Sequence, residues 1–101
     1  MYENFTGPVL MALCEMGYCE PGDVEAFVGD GRLEGPDAEV PFNTSGGNIA
    51  EAYIHGLEMV VEAVRQVRGE STCQVKDVEL SLAVGGPGYA PGSAVLFGPA
   101  V

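Results

Sequence analysis

Two short runs near the end of the chain have the pattern of β-strands, and they constrain what the rest can fold into. In the first run, Val78, Leu80, Leu82 and Val84 alternate with polar or small residues, which predicts a strand with one buried face. In the second run, residues 94–97 are apolar without interruption, which is typical of a buried strand with neighbours on both sides. Because a two-stranded ribbon is at best marginally stable in water, further structure has to cover these strands.

Apolar periodicity predicts helices earlier in the chain. We expect Thr6 to cap a first helix that ends at Gly17, since threonine is a common cap at helix starts and glycine commonly follows helix ends. Residues 24–28 predict a second, short amphipathic segment. The stretch 29–41 is rich in glycine and acidic residues and has no periodicity, so we expect a surface loop there.

A longer helix is predicted from Ile49 to Val67, with Gly69 as its stop. Its apolar residues recur at three- and four-residue steps, which places them on one face. This face consists of Ile49, Tyr53, Gly56, Val60, Ala63, Val64 and Val67. The acidic residues Glu58 and Glu62 are expected mostly on the other faces of the helix.

The charge of the chain is strongly negative and unevenly distributed. The sequence has 15 acidic and 4 basic residues, and residues 1–62 hold twelve of the carboxylates against the single Arg32. Such a surface repels phosphate backbones and anionic lipid, so we expect neither nucleic acid nor a membrane as a partner. The sequence shows no leader pattern and no apolar stretch long enough to span a bilayer, and we expect a cytoplasmic protein.

Metal binding is not expected from the cysteine and histidine spacing. The chain has three cysteines and one histidine, and their positions match no zinc-site spacing. Cys14 lies on the first predicted helix without a basic residue nearby in sequence, so we expect it in the core. His55 stands two residues after Tyr53, which in a helix turns it about 200° away. We therefore expect that the two side chains do not share a face.

Two glycine-bearing segments could have chemical roles. Segment 43–48 (Asn-Thr-Ser-Gly-Gly-Asn) precedes the long helix, and free N–H groups at a helix start suit an anion or an oxyanion. The alternative is a turn that only caps the helix. Segment 85–88 (Gly-Gly-Pro-Gly) follows a strand, but it lacks the third glycine and the following helix of a dinucleotide site.

The residues from 43 to 69 carry a family resemblance. Asn-Thr-Ser-Gly-Gly-Asn-Ile-Ala-Glu-Ala-Tyr-Ile-His-Gly at 43–56, followed by Glu-Ala-Val-Arg-Gln-Val-Arg-Gly at 62–69, closely resembles the C-terminal segment of thiolase-like proteins. It is most similar to the branch of sterol carrier protein X and the lipid-transfer proteins. The resemblance implies an α/β fold in which residues 1–101 are the C-terminal portion of a thiolase-like domain. Two helices and a strand pair of this chain would then belong to an incomplete fold with a five-stranded sheet.

Three family motifs differ in this chain. Ordinary thiolases have a histidine where this chain has Tyr53, so His55 does not occupy that position. The polar first residue of the motif before the first helix corresponds to Tyr2, and the cysteine of the Cys-x-Gly-Gly motif corresponds to Ala83. Thiolase chemistry needs a thiolate nucleophile, a histidine to activate it and a second cysteine. The chain therefore resembles the steroid side-chain aldolases of the lipid-transfer-protein type.

The resemblance to these aldolases implies an activity and a set of site residues. The activity is retro-aldol cleavage of a β-hydroxyacyl-CoA thioester, with a steroid side chain releasing propionyl-CoA and a ketosteroid. Tyr53 and Tyr2 would be the catalytic proton carriers, with His55 in support. The substrate-binding residues would lie in the two glycine-bearing segments, at Asn43, Gly46, Gly47, Gly85, Gly86 and Tyr89. No cofactor is implied, because CoA is part of the substrate.

The resemblance also implies an assembly. It consists of a homodimer formed through the thiolase core and a partner protein with an OB-fold and a zinc ribbon. Two other interpretations stay open: a sterol-carrier-type acyl-CoA thiolase, and a non-catalytic thiolase-like subunit that scaffolds a partner. A nucleophilic cysteine in the full-length sequence would favour the thiolase, whereas a scaffold would cleave no β-hydroxyacyl-CoA.

Overall fold

The computed structural model describes residues 1–86 and 92–100, which form helices and a two-stranded antiparallel sheet. In chain order the elements are α1 (Thr6–Glu15), α2 (Val24–Gly29), α3 (Gly47–Ala50), α4 (Leu57–Arg68), β1 (Ser81–Gly85) and β2 (Ser93–Phe97). The predicted α/β class is confirmed, although the described residues contain four helices and not two. Among these residues, no helix combines the length and the apolar character needed to cross a bilayer.

The first helix has the predicted end but not the predicted cap. Thr6 is already helical, and Phe5 is the extended residue before it, with no side-chain hydrogen bond to the helix start. The helix ends where Gly17 turns the chain with a φ of 78°, a conformation that glycine adopts without a Cβ clash. Leu13 from this helix is 1% exposed, whereas Cys14 is only half-buried, so its predicted core position is wrong.

The long helix predicted from Ile49 is interrupted. Glu51 is extended, and the left-handed φ values of His55 (56°) and Gly56 (91°) keep the chain out of the helix until Leu57. The N–H of Ile54 donates to Oε2 of Glu58 at 3.2 Å instead of continuing a helical ladder. The prediction of one continuous helix is wrong because a side chain supplies the hydrogen bond that the backbone would otherwise provide.

The buried face of α4 also differs from the prediction. Glu58 and Glu62 are 2% and 6% exposed, together with the apolar Met59 and Ala63. Glu62 is buried because Oε1 accepts hydrogen bonds from Thr44 Oγ1 at 2.6 Å, Ser71 Oγ at 2.7 Å and Gln66 Nε2 at 2.9 Å. A buried charge is tolerated when it is paired in this way, and apolar periodicity carries no information about such partners.

Gln66 extends this network to the segment after α4. Its Nε2 donates to the carbonyl oxygen of Cys73 at 2.9 Å, and its Oε1 accepts from the N–H of Val75 at 3.0 Å. Gln74 Nε2 donates to both Gln66 Oε1 at 3.0 Å and the Gln66 carbonyl oxygen at 2.9 Å. The result is that residues 71–75 are fastened to α4 and lead the chain into the sheet.

The sheet packs with β1 against α4. The register pairs Ser81 with Phe97 and Gly85 with Ser93, and Ala83 in the middle of β1 is 4% exposed. The predicted first strand began at Val78, three residues too early, because β2 pairs only with residues 81–85. The second strand, predicted to be buried, is largely exposed, since within the described residues its one neighbouring strand is β1.

Glu62 is expected to contribute strongly to stability. Glu62→Ala leaves the hydroxyls of Thr44 and Ser71 without their acceptor, and each buried unpaired group costs about 1–3 kcal/mol. We expect the free energy of unfolding to fall by about 3 kcal/mol, measured by urea denaturation followed by circular dichroism. Glu70→Gln is the matched control, because its ion pair with Arg68 is exposed and should contribute less than about 1 kcal/mol. Equal losses in the two variants would contradict the role of Glu62.

Candidate active site

Two tyrosines from distant parts of the sequence meet at their hydroxyl groups. The N–H of Tyr2 donates to the carbonyl oxygen of Val84 at 2.8 Å, which fixes the segment before α1 beside the end of β1. The hydroxyls of Tyr2 and Tyr53 share a hydrogen bond in which either can donate. Their ring centroids are 6.1 Å apart with the planes tilted by 41°. Tyr53 is 49% exposed, so a substrate can reach the pair from solvent.

His55 packs against one member of this pair, Tyr53. The centroid of its ring lies 5.0 Å from that of Tyr53, edge to face, with 62° between the planes. The prediction that the two side chains do not share a face is wrong, because it assumed a helix where residues 51–56 form a non-helical linker between α3 and α4. The structure therefore brings Tyr2, Tyr53 and His55 together.

The glycine-bearing turn at 43–48 holds the segment that carries Tyr2. Asn43, with a φ of 42°, accepts at Oδ1 from the backbone nitrogen of Met1 at 2.6 Å and donates from Nδ2 to the Met1 carbonyl oxygen at 2.8 Å. Gly46 has a φ of 91° and Gly47 a φ of 68°, which glycine adopts without strain. Asn43 thus positions the neighbouring Tyr2 through the backbone.

The negative group at the start of α3 comes from the chain itself. The Glu3 carboxylate accepts from the backbone N–H of Asn48 and, at 3.0 Å, from Asn48 Nδ2. A Cβ added at Gly47 would overlap Oε1 of Glu3, so only glycine leaves room for the carboxylate. The anion-binding geometry predicted for this turn is present, and Glu3 occupies it. Sequence reasoning missed Glu3, although it is next to Tyr2 in the motif that carried the resemblance.

The linker between α3 and α4 contributes residues to two recesses. The first has a volume of about 640 Å³ and is lined by Tyr2, Glu3, Asn4, Phe5, Thr6, Asn48, Ile49 and Tyr53. The second has a volume of about 240 Å³ and is lined by His55, Gly56, Leu57, Met59, Val60, Ala83, Val84, Gly85, Ser93 and Val95. Tyr53 therefore lines the larger recess and His55 the smaller one, while their rings pack against each other.

The second glycine-bearing segment is only partly described. Gly85 lines the smaller recess, and a Cβ added to it would lie 3.2 Å from Ser93 Oγ. Gly86 has a φ of 140°, which only glycine adopts readily. Tyr89, the remaining predicted substrate-binding residue, lies outside the described residues, so its role stays a prediction.

None of the three cysteines lines either recess. The sulfur atoms of Cys14 and Cys19 are 3.8 Å apart, and partial burial together with this hydrogen bond raises the pKa of the Cys19 thiol. A raised pKa keeps that thiol protonated and a weak nucleophile at neutral pH. Over residues 1–86 and 92–100, no three side chains of His, Cys, Asp or Glu are grouped so that they could hold a metal ion.

The close contact between Gly56 and Tyr2 gives a stability test. A Cβ added at Gly56 would lie 3.0 Å from Cδ2 of Tyr2, and the φ of 91° is left-handed. Gly69 has a similar φ of 70° but no neighbouring atom within 4 Å, so Gly69→Ala introduces the backbone strain alone. We expect Gly69→Ala to lower the free energy of unfolding by about 1 kcal/mol and Gly56→Ala by about 2 kcal/mol or more.

Urea denaturation measures both losses, and the near-ultraviolet circular dichroism of the tyrosines should change in Gly56→Ala only. If the two variants lose the same free energy and keep the same tyrosine signal, then Gly56 does not contact the Tyr2 ring in solution.

Known proteins are similar to this chain in sequence and in fold. The steroid side-chain-cleaving aldolase of Thermomonospora curvata is 44% identical over 98 residues, and the 17-hydroxy-3-oxo-4-pregnene-20-carboxyl-CoA lyase of Mycobacterium tuberculosis is 41% identical over 98 residues. Each match covers 97% of this chain and 25% of the relative. The chain therefore spans about a quarter of the length of the relatives it matches.

A solved structure is similar to this chain in fold. The Ltp2-ChsH2(DUF35) aldolase superposes with a TM-score of 0.86 and 42% sequence identity, covering 96% of this chain and 25% of that one. The family described as thiolase C-terminal domain-like matches residues 1–97. The predicted resemblance is thus confirmed, and the chain belongs to the thiolase C-terminal domain-like family.

Proposed function

We propose that this chain carries the proton-transfer groups of a carbon–carbon lyase that cleaves a β-hydroxyacyl-CoA thioester in the retro-aldol direction. The observation that supports this most directly is the hydrogen bond between the hydroxyls of Tyr2 and Tyr53. The names of the relatives, a steroid side-chain-cleaving aldolase and a pregnene-carboxyl-CoA lyase, favour a steroid side chain as the substrate. The products are then propionyl-CoA and a ketosteroid.

The paired phenols suit the proton transfers of this reaction. A base takes the proton from the tertiary alcohol, the bond between the α and β carbons breaks, and its electron pair forms the thioester enolate as the ketone appears. An acid then protonates the α carbon of the enolate. Two hydroxyls joined by a hydrogen bond can accept a proton at one oxygen and release one from the other. We assign this role to Tyr53 first and to Tyr2 second.

The neighbouring groups are assigned supporting roles. The rings of His55 and Tyr53 pack edge to face at a centroid distance of 5.0 Å, which limits the orientations that Tyr53 can adopt. Asn43 and Gly47 hold the segment of Tyr2 through Met1 and Glu3. Gly46, Gly85 and Gly86 shape the loops beside the reacting groups. The reaction needs no separate cofactor, since the CoA thioester is itself the electron sink for the enolate.

The charge distribution suggests where the CoA phosphates bind. Residues 1–62 carry twelve carboxylates and one arginine, and Arg32 already forms ion pairs with Asp30 and Glu39, both at 3.7 Å. A cluster of phosphates needs cations, which this surface does not supply. We therefore assign the acyl end of the substrate to this chain, and place the phosphates elsewhere in the assembly.

The assembly is also a proposal. The name of the similar solved structure includes a second component, ChsH2(DUF35), which supports a partner protein for this chain. From the family resemblance, we propose that this partner has an OB-fold and a zinc ribbon. The negative surface of residues 1–62 would suit a basic face on such a partner. We further propose a homodimer formed through the thiolase core, acting in the cytoplasm. Gel filtration of the co-expressed proteins, with light scattering, measures whether a dimer that contains the partner is present.

The two tyrosines differ from other tyrosines in their expected effect on catalysis. In the complete gene product, assembled with its partner, Tyr53→Phe removes the hydroxyl that bonds to Tyr2 and should lower the kcat of propionyl-CoA release by about 100-fold or more. Tyr18→Phe is the control, because Tyr18 lies outside the site at a turn after α1 and should keep the wild-type rate.

Three outcomes would contradict the proposal. If Tyr53→Phe cleaves at the wild-type rate, the assignment of Tyr53 is wrong. If the complete wild-type assembly releases no propionyl-CoA from any β-hydroxyacyl-CoA, the non-catalytic scaffold is favoured instead. If it forms an acyl-enzyme and transfers the acyl group to CoA, the thiolase is favoured.

A further inference from the structure

We propose that Glu58 is a positioning residue that holds the linker carrying Tyr53 and His55 in its active conformation. This inference rests on the proposed function, in which the tyrosine pair transfers protons. Glu58 lies in the first turn of α4, directly after the linker of residues 51–56. It is 2% exposed and, with Leu13, is one of the two largest fully buried side chains in the described part of the chain.

Among the described residues, the carboxylate of Glu58 has one hydrogen bond, and it goes to the linker. Oε2 of Glu58 accepts from the N–H of Ile54 at 3.2 Å, and Ile54 lies between Tyr53 and His55 in sequence. Oε1 is buried and has no hydrogen-bond partner among the described residues. A buried carboxylate oxygen without a partner is costly, so a residue that served only to fill space would be better replaced by an apolar one.

Comparison with Glu62 distinguishes a carboxylate that holds the fold together from one that holds the linker. Both carboxylates are on α4 and buried, but Oε1 of Glu62 has three donors that join Thr44, Gln66 and Ser71. Glu62 therefore holds the fold together, whereas the contact of Glu58 is directed at the linker.

The strained backbone of the linker explains why it needs the hydrogen bond from Ile54 to Glu58. His55 has a φ of 56°, which is unfavourable for a residue with a side chain and persists only where the surroundings enforce it. Leu57 and Met59 donate to the carbonyls of Ile54 and Gly56 at 3.3 and 3.1 Å, which closes the turn from the side of α4. The hydrogen bond to Glu58 fixes the N–H of Ile54, and with it the peptide unit that joins Tyr53 to Ile54.

The consequence is that Glu58 sets the distance between two hydroxyls that it does not touch. If the peptide of Ile54 rotates, the Tyr53 side chain moves with it and leaves Tyr2, whose backbone is fixed to Val84. Proton transfer depends steeply on such placement, and a displacement of about 1 Å can lower a rate by about 100-fold.

Three variants of the complete gene product, assembled with its partner, test this inference. Glu58→Met keeps the length of the side chain but offers no oxygen to the N–H of Ile54. Glu58→Gln keeps an oxygen acceptor and removes the charge. Glu51→Gln is the control, since Glu51 is a carboxylate in the same linker and its ion pair goes to the exposed Arg65, at 3.4 Å.

We expect a loss in kcat with little change in KM. Glu58→Met should lower the kcat of propionyl-CoA release by about 30- to 100-fold, with KM within about threefold, because the substrate still binds while the proton carriers are misplaced. Glu58→Gln should restore kcat to within about threefold of the wild type, and Glu51→Gln should match the wild type. Amide hydrogen exchange at Ile54 should be about fivefold faster or more in Glu58→Met alone.

The outcomes separate this inference from the proposed function. Wild-type kcat in Glu58→Met, or unchanged exchange at Ile54, would overturn the role of Glu58. If the wild-type assembly shows no turnover, the proposed function fails. Crystal structures of the variants then test separately whether Glu58 positions the Tyr53 hydroxyl. The inference then stands only if the hydroxyls of Tyr2 and Tyr53 lie beyond hydrogen-bond distance in Glu58→Met and remain bonded in Glu58→Gln.

Discussion

One buried carboxylate oxygen, Oε1 of Glu62, holds three parts of this fold in place. It accepts hydrogen bonds from Thr44 before α3, from Gln66 one turn further along α4 and from Ser71 beyond the end of α4. A charge removed from water is tolerated only when its hydrogen bonds are replaced, and here that requirement fixes where the three segments meet. Thr44 holds the glycine-bearing turn to α4, and Asn43 in the same turn binds Met1 at the start of the chain. The site can therefore be assembled from residues that are some fifty positions apart in sequence, such as Tyr2 and Tyr53.

The site depends on interruptions of regular structure. A continuous helix from residue 49 would place Tyr53 and His55 on different faces, but the left-handed residues at 55 and 56 bring them together. Glycine at 47 and at 56 leaves space for Glu3 and for the ring of Tyr2. Such local departures from the regular pattern are common at functional sites, where strain is offset by the surrounding packing.

The sequence predicted some features well because they depend on local chemistry. The end of α1 at Gly17, the end of α4 at Gly69 and the presence of two strands follow from periodicity and glycine conformation. The tyrosine pair was predicted through family motifs, and the structure places the two residues in contact. The burial of Glu58 and Glu62 could not be predicted, since it depends on donors supplied by other segments. The same holds for Glu3, whose partner Asn48 is 45 residues away.

The exposure of β2 has a consequence for how the protein can be produced. This strand pairs with β1 along one edge, and Val95 and Leu96 are 49% and 59% exposed. An apolar strand with an open edge can add strands from other molecules, and this hazard is greatest while a chain is newly made and its covering structure is not yet in place. Any structure that covers β2 would therefore protect this segment from adding strands of other molecules. A substitution at its exposed positions can reduce the yield of protein without altering the chemistry of the tyrosines.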